Sequence, residues 1–336
     1  MSNSITSDRK KDHIELAFES KILEQDNRFY YEPVLQGHPT PEDKYEGIKI
    51  ANKITKSPLW VSSMTGGTKM AGHINHNLAR ACKEFGMGMG LGSCRILLEE
   101  DTYFKDFDLR DTIGDDLPFY ANLGVAQVET LLLEKKESLI VSLVNRLRAD
   151  GLIIHVNPLQ EYLQPEGDRF THSPLETIKC LLEKVDFPVI VKEVGQGMGP
   201  SSLKALMDLP LAAIDFGASG GTNFAKLELL RTEEDKAIGD NGLSYVGHTA
   251  GEMVDFVNGI ISSQGQHKCE TFIVSGGIKS YLDGYYHTEK LLAPAIYGMA
   301  SKFLKHAMGD YEKLQEFTKQ QLNGFALANK LLIPKK

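Results

Sequence analysis

Short apolar segments recur along the chain, and each ends in glycine or in small polar residues. They are mostly uninterrupted hydrophobic runs, which are typical of strands buried on both faces of a parallel sheet. Eight such segments are present: Leu59–Ser63, Met87–Leu91, Phe119–Leu123, Leu152–Val156, Val189–Val194, Ala212–Phe216, Thr271–Val274 and Ala295–Tyr297.

Stretches with helical spacing of apolar residues lie between these segments: Ile74–Phe85, Gln127–Asp150, Leu175–Val185 and Ser201–Met207. Alternating strands and helices form βαβ units, and eight of them predict an α/β fold, the (β/α)8 or TIM barrel, rather than an open sheet. Residues 1–55 form an N-terminal extension before the first strand, and residues 227–268 form an insertion before strand 7. A final amphipathic helix is expected at Tyr311–Leu332.

Composition narrows the class of protein. The chain has 336 residues, 42% hydrophobic and 24% charged, which excludes wholesale disorder. Length alone suggests two domains, but α/β barrels run longer, so a single barrel domain over residues 1–336 is expected. The net charge of −8 argues against a dedicated nucleic-acid binder. A small anionic ligand is still compatible with it, because a few local basic residues can bind one.

The N-terminal residues and the cysteines indicate the cellular compartment of the protein. No apolar segment follows the polar N-terminus, so no secretory signal is expected, and no window approaches the ~18 apolar residues of a membrane span. The four cysteines lack CxxC spacing, which favours reduced thiols over a zinc site or a disulfide framework. The sequence therefore predicts a cytoplasmic protein.

Barrel enzymes place their chemistry at the C-terminal ends of the strands. Two glycine-rich segments follow apolar segments seven and eight, where barrels commonly bind phosphate: Ser275-Gly276-Gly277 and Gly298-Met299-Ala300. Glycine lets backbone N–H groups approach a phosphate closely, and a following helix N-terminus favours negative charge. The alternative is that these glycines serve tight turns only.

Lys192 lies near the end of an apolar segment, where it would be buried or at the barrel rim. Buried lysines are uncommon unless paired, so Lys192 indicates an anionic partner such as a ligand. The alternative is a salt bridge to Glu193 or to another acidic residue. Arg95, after the second segment, is a further candidate to clamp an anion, because the guanidinium fork matches phosphate.

A polar cluster follows the fourth segment: His155, Asn157, Gln160 and Glu161. Glu161 could bind Mg²⁺, which usually takes one or two carboxylates plus substrate phosphates, while His155 and Gln160 could donate hydrogen bonds to the same anion. The alternative is a solvated loop, since a single carboxylate is weak grounds for a metal. The basic run at residues 9–11, with His13, is either a solvated tail or part of a lid over the barrel mouth.

A series of short motifs occurs in one order along the chain: Arg9-Lys10 with His13, Ser63-Met64-Thr65-Gly66-Gly67, Gly92-Ser93-Cys94-Arg95, Asn122-Leu123-Gly124, His155-Val156-Asn157 with Gln160-Glu161, Gln164-Pro165-Glu166-Gly167-Asp168, Val191-Lys192-Glu193-Val194-Gly195, Gly220-Gly221-Thr222 and Ser275-Gly276-Gly277-Ile278. As an ordered set they resemble the type 2 isopentenyl-diphosphate isomerases, FMN-dependent (β/α)8 enzymes of isoprenoid biosynthesis. The resemblance extends from Arg9 to about Leu304 and is most specific between His155 and Asp168.

The resemblance implies an isomerase that interconverts isopentenyl diphosphate and dimethylallyl diphosphate with reduced FMN and Mg²⁺, the flavin being reduced by NADPH or another reductant. The residues implied to hold FMN are Met64, Thr65, Gly66, Ser93, Asn122, Lys192 and Thr222, with the FMN phosphate near Gly276, Gly277, Met299 and Ala300. Those implied to bind the substrate are Arg9, Lys10, His13, Ser93, Arg95, His155, Asn157 and Gln160. Glu161 would bind Mg²⁺, and Gln160, the candidate catalytic residue, would lie beside the reacting alkene. Family habit further implies a homo-oligomer, a tetramer or larger.

The chain departs from the family pattern at residues near the flavin: Cys94 replaces a usual glutamine, Gly217 a serine, Phe224 a tryptophan and Lys279 an arginine. Two other functions compete. An α-hydroxyacid oxidase would carry a His-Gly-Gly-Arg-type segment after the sixth strand, where this chain has residues 218–222, Ala-Ser-Gly-Gly-Thr. A non-catalytic flavin- or phosphate-binding barrel would lack the acidic, cationic and lid residues, all of which are present.

Overall fold

Eight parallel strands close into a barrel in this computed structural model, which describes residues 2–22, 24–40, 42–43, 45–231, 241–269 and 271–335. The predicted (β/α)8 barrel is confirmed, and each barrel strand falls on one of the predicted apolar segments. The barrel strands are β4 (Leu59–Val61), β5 (Gly88–Gly90), β6 (Phe119–Gly124), β7 (Gly151–Val156), β8 (Val189–Glu193), β9 (Ala213–Asp215), β10 (Phe272–Val274) and β11 (Ala295–Met299). Four short strands lie outside it: β1 (Phe29–Tyr31), β2 (Lys49–Ile50), β3 (Lys53–Ile54) and β12 (Leu332–Pro334).

Helices surround the barrel. In chain order they are α1 (Ser2–Leu16), α2 (Lys69–Phe85), α3 (Phe104–Phe107), α4 (Arg110–Ile113), α5 (Val125–Leu133), α6 (Glu137–Arg146), α7 (Pro158–Leu163), α8 (Pro174–Leu182), α9 (Pro200–Met207), α10 (Phe224–Arg231), α11 (Ala250–Gln264), α12 (Tyr281–Lys290), α13 (Ser301–Ala307) and α14 (Tyr311–Leu331). No helix within the described ranges has the length and apolar character needed to cross a membrane.

One predicted helix is wrong in extent. The segment Gln127–Asp150 is divided into α5 and α6, because Lys135 adopts a left-handed backbone conformation with φ of 56°. The Lys136 N–H then bonds back to the Leu131 carbonyl and closes the end of α5. Left-handed backbone is unfavourable for residues with a Cβ and cannot continue a right-handed helix.

The barrel interior is built in two layers, because alternate residues of a strand face the same side. The lower layer is an apolar cluster that includes Trp60, Tyr120, Ile153, Ile190, Ala213, Ile273 and Ile296. Two residues further along each strand, the inward positions become small or polar. We call this upper layer the mouth ring: Ser62, Gly90, Asn122, His155, Lys192, Asp215, Ser275 and Gly298.

Different parts of the N-terminal extension pack against different parts of the barrel. Strands β2 and β3 form an antiparallel hairpin whose Ile50 packs into the apolar layer, and the Thr271 hydroxyl donates to the Lys49 carbonyl over 2.9 Å. Thr271 precedes β10, so this hairpin plugs the end of the barrel opposite the mouth. Residues 49–54 of the N-terminal extension therefore lie at the bottom of the barrel, away from its mouth.

The rest of the extension is held by the end of the chain. Strand β1 pairs antiparallel with β12, which follows directly after α14. Arg28, just before β1, forms a salt bridge of 2.8 Å with Asp283 on α12. Within the insertion before β10, the structure describes α10, a short 3-10 helix at Asn241–Tyr245 and α11, whereas Gly239 and Asp240 lie outside the described residues.

Candidate active site

A cavity of about 450 Å³ opens at the C-terminal ends of the barrel strands. Eight of the residues implied to hold FMN line it: Met64, Thr65, Lys192, Thr222, Gly276, Gly277, Met299 and Ala300. Gly66, Ser93 and Asn122 are not among its lining residues. Gly66 faces the ring of Phe107, Ser93 is exposed, and Asn122 is buried within the mouth ring.

The glycine-rich loops at the cavity pack against each other through backbone. Gly276 and Gly277 have φ of 84° and 71°, in the left-handed region. A Cβ on Gly276 would overlap the Ala218 carbonyl, and one on Gly220 would lie 3.2 Å from the Cα of Gly277. Glycine is therefore required here for both conformation and close approach.

We expect Gly276→Ala to destabilise the protein by about 3 kcal/mol, because the new methyl group combines an unfavourable φ with a backbone clash. Urea unfolding measures the loss. Gly309→Ala is the matched control, since no atom lies within 4 Å of its Cβ position, and it should change stability by less than ~0.5 kcal/mol. Equal effects of the two substitutions would contradict the assigned role of Gly276.

His155 is held in the mouth ring by Asn122. The Asn122 side-chain amide donates to the Leu91 carbonyl over 2.9 Å, so its oxygen accepts, over 2.7 Å, the hydrogen on Nδ1 of His155. Burial, together with the nearby Lys192 ammonium, lowers the pKa of His155 to about 3. The neutral ring therefore presents Nε2 to the mouth as an acceptor.

The lowered pKa of His155 makes the folded state sensitive to acid. An unfolded histidine titrates near 6.5, so between about pH 6.5 and 3 the unfolded chain binds the extra proton. Stability is then lost as pH falls, by about 1.4 kcal/mol per unit at most. We expect His155→Gln to lose stability less steeply than the wild type between pH 6.5 and 4.5. Parallel slopes in urea unfolding would contradict this assignment.

Lys192 is 8% exposed and donates from Nζ to the backbone carbonyl of Glu193 over 2.6 Å. The Glu193 carboxylate does not pair with Lys192. Its Oε2 accepts hydrogen bonds from the backbone N–H groups of residues 195, 196 and 197 over 2.6–2.9 Å. No ion pair of Lys192 with a carboxylate is found in the described part of the chain, so the salt bridge to Glu193 considered from the sequence is absent there.

Asp215 was missed by the sequence reasoning. It is fully buried in the mouth ring, and its Oδ1 accepts a hydrogen bond from the Ser275 hydroxyl, which in turn accepts the Gly217 N–H over 2.9 Å. The sequence does mark Asp215 as a residue that faces the barrel interior. It stands two residues after the inward Ala213, just as Lys192 stands two residues after the inward Ile190.

Helix α7 brings Asn157, Gln160 and Glu161 together beside the mouth. Asn157 is its N-terminal cap residue, and the Asn157 amide nitrogen lies 3.1 Å from Gln160 Oε1 and 3.0 Å from Glu161 Oε1. The side-chain oxygen Oδ1 of Asn157 is buried without a hydrogen-bond partner in the described structure. Glu161 is 8% exposed, and its other oxygen accepts the Asp168 N–H over 2.8 Å.

Asp168 connects the segments that follow β5, β6 and β7, a role that its place in a sequence motif did not reveal. Its Oδ2 accepts from Arg95 over 2.8 Å and from Gln127 over 2.7 Å, while its backbone N–H contacts Glu161. Arg95, a candidate anion clamp, is thus held in place by Asp168 with about half of its side chain exposed.

Gln160 is fixed by a residue from the other side of the mouth. Its amide nitrogen donates to Glu228 on α10 over 3.0 Å, and Arg231 bonds the second oxygen of Glu228 over 2.6 Å. Only the tertiary fold reveals this contact, because 68 residues separate Gln160 from Glu228.

Arg9, Lys10 and His13 are exposed on α1. Of the side chains described on this helix, the recorded ion pair is internal, between Lys11 and Glu15. Among the described side chains, no recorded hydrogen bond or ion pair joins Arg9, Lys10 or His13 to the mouth.

The described residues contain no cluster of three histidine, cysteine, aspartate or glutamate side chains that could hold a metal. A metal at Glu161 would accordingly draw most of its ligands from elsewhere.

Comparison with known proteins gives a consistent result. No family model matches the chain. An isopentenyl-diphosphate delta-isomerase of Rickettsia felis (strain ATCC VR-1525 / URRWXCal2) is 34% identical over 308 residues, covering 89% of this chain and 85% of the relative. The protein of that name from Rickettsia typhi (strain ATCC VR-144 / Wilmington) is 32% identical over 306 residues, covering 89% and 86%.

Solved structures share the fold at low sequence identity. A flavocytochrome b2 mutant with pyruvate bound has a TM-score of 0.61 at 11% identity, covering 90% of this chain and 72% of that one. A mandelate oxidase mutant with a monooxide FMN adduct has a TM-score of 0.54 at 13% identity, covering 92% and 88%. The barrel and the extent of identity to the curated relatives lead to one conclusion: the chain belongs to the type 2 isopentenyl-diphosphate delta-isomerase family.

Proposed function

We propose that this protein interconverts isopentenyl diphosphate and dimethylallyl diphosphate, using reduced FMN and Mg²⁺. The observation that carries the proposal is the barrel mouth, where Lys192 lines a glycine-walled cavity. Helix α7, which carries the Glu161 carboxylate, follows β7 at the same end of the barrel. Family membership supplies the substrate class, because the curated relatives are named for isopentenyl diphosphate.

The cavity fits FMN. Buried hydroxyls of Ser62 and Ser63 line it and have no hydrogen-bond partner in the described structure, so a polar ligand would satisfy them. At Gly298 a Cβ would lie 2.6 Å from the Ser62 hydroxyl, so glycine keeps this space open. The Gly276-Gly277 loop offers close backbone approach for the FMN phosphate. Two structural neighbours of the same fold are a flavocytochrome and an FMN-adduct structure.

The Glu161 site fits Mg²⁺. Each Glu161 oxygen accepts one N–H group and keeps a further lone pair, and the unpartnered Asn157 oxygen is a second hard ligand nearby. Because one carboxylate is available, substrate phosphate oxygens and water would complete the coordination shell. Mg²⁺ would then tie the substrate diphosphate to α7 and to Gln160.

Arg95 would neutralise part of the charge of the diphosphate. Arg9 and Lys10 would contribute to this once α1 has moved to the mouth. Arg95 already has its fork directed by Asp168. His155 would contact the diphosphate through Nε2, because its Nδ1 is bonded to Asn122.

Isomerisation adds one proton to the alkene and removes another. Reduced FMN, when bound, supplies the proton-transfer group, and its electron-rich ring stabilises developing positive charge. The protein's residues orient the alkene: Gln160, fixed by Glu228, would lie beside it, while Phe224 and Leu227 contribute apolar walls. We further propose NADPH as the reductant, a single barrel domain, a homo-oligomer and a cytoplasmic location.

An anaerobic assay tests the proposed function. The purified protein is incubated with isopentenyl diphosphate, FMN and Mg²⁺, with and without NADPH, and dimethylallyl diphosphate is measured. We expect product only when the flavin is reduced. Parallel anaerobic incubations with lactate and mandelate test the oxidase alternative, and flavin reduction by either acid without isomerase activity would overturn the proposal.

A further inference from the structure

One buried carboxylate of the mouth ring has no part in the proposed function. Asp215 is 0% exposed, its Oδ1 accepts from Ser275, and its Oδ2 is buried without a hydrogen-bond partner in the described structure. Removing a carboxylate from water costs several kcal/mol unless a nearby cation compensates. To be ionised there, Asp215 therefore requires a cation close to it in the barrel interior.

Strand register identifies that cation as Lys192. On β8 and β9, Lys192 and Asp215 are direct partners, as His155 and Lys192 are on β7 and β8. Partner residues on neighbouring strands lie about 5 Å apart and point to the same side of the sheet. An imidazole, an ammonium and a carboxylate thus stand in one row across three strands.

Two other titratable groups lie near Lys192, and one of them, Glu193, also interacts with the Lys192 charge. His155 is neutral, and the Glu193 carboxylate is engaged by three backbone N–H groups. Burial raises the pKa of Asp215, while the Lys192 ammonium and the Ser275 hydroxyl oppose this increase. Asp215 is thus the inward carboxylate on which Lys192 acts.

The Lys192 side chain needs such a partner to have a fixed direction. Its ammonium carries three N–H groups on a flexible four-carbon stem, and one of them bonds the Glu193 carbonyl. We propose that Asp215 is a positioning residue. Its buried carboxylate attracts the Lys192 ammonium from the neighbouring strand, without a direct ion pair, and so holds that ammonium at the barrel mouth for an anionic or electron-rich ligand.

Unfolding of the apoprotein tests this pairing without any ligand. Lys192→Met leaves a buried carboxylate without its cation, and Asp215→Asn leaves a buried ammonium without its anion, so each should lower the thermal midpoint. The double variant removes both charges and should unfold at a higher temperature than either single variant. The proposal is overturned when the double variant unfolds at as low a temperature as the less stable single variant, or when it fails to fold.

A matched control separates this pairing from a general effect of charge. Asp106 on α3 is a half-buried carboxylate with an oxygen lacking a partner in the described structure, and it lies outside the mouth ring. Asp106→Asn should not rescue Lys192→Met. Rescue by Asp106→Asn equal to that by Asp215→Asn would contradict a specific pair.

A second measurement rests on the proposed function. FMN is added to the apoprotein, and its binding is measured from the quenching of flavin fluorescence. Asp215→Asn should weaken FMN binding about tenfold when Lys192 is present and have no further effect in Lys192→Met. Equal losses in both backgrounds would indicate a purely structural role and overturn the proposal. If wild-type apoprotein binds no FMN, the proposed function fails, while the unfolding comparison still decides the role of Asp215.

Discussion

Replacing Glu161 by glutamine is expected to reduce isomerase activity about 100-fold and to move the Mg²⁺ dependence to higher concentration. Glutamine keeps the size of the side chain and one oxygen but loses the charge that attracts the cation. The Asn157 and Asp168 contacts of Glu161 would also weaken. Initial rates over a Mg²⁺ titration measure both effects.

Glu166→Gln is the matched control for this substitution. Glu166 lies on the loop after α7 with about half of its side chain exposed, and it pairs with Arg231. An exposed ion pair contributes little, so its loss should change activity by less than about threefold. An unchanged Mg²⁺ requirement in Glu161→Gln would exclude Glu161 as the metal ligand.

Lys192→Ala should increase the FMN dissociation constant about 10- to 100-fold, because a hydrogen bond from a charged donor contributes about 1.5–3 kcal/mol. The purified variant should therefore lose its yellow flavin during gel filtration. Flavin content per protein, read from the absorbance spectrum, measures the loss.

Two further variants serve as controls for Lys192→Ala. Lys204→Ala removes an exposed lysine from α9, close along the chain, and should keep its flavin. Lys192→Arg retains the positive charge and should lie between the wild type and Lys192→Ala. A fully yellow Lys192→Ala protein would argue against any contact between Lys192 and FMN.

Much of the fold was predictable because buried parallel strands are continuous apolar runs. Segments such as Phe119–Leu123 and Val189–Val194 coincide with β6 and β8 to within a residue. The break between α5 and α6 was not predictable from apolar spacing, since polar residues 134–136 also suit the exposed face of a continuous helix. The β2–β3 plug escaped prediction because two-residue strands have no periodicity to detect.

The candidate site was predictable where its residues follow a strand. Lys192 and the Gly276-Gly277 loop could be located from the sequence because they stand at segment ends, although their roles toward FMN stay predictions. Asp215 was overlooked inside an apolar segment, where only its spacing from Ala213 marks it as inward. Glu228 reaches Gln160 across the mouth, and no local pattern encodes that contact.

The pairing of β1 with β12 has a consequence for how Arg9 and Lys10 would meet the substrate. It anchors the chain at Phe29, so the length of chain between Leu16 and Phe29 limits how far α1 can lie from that anchor. A tether of this length spans at most about 40 Å when extended, and such links give effective concentrations in the millimolar range. On the proposed function, the two basic residues would thus act as an intramolecular second ligand for the diphosphate. Their affinity would be governed by tether length as well as by charge.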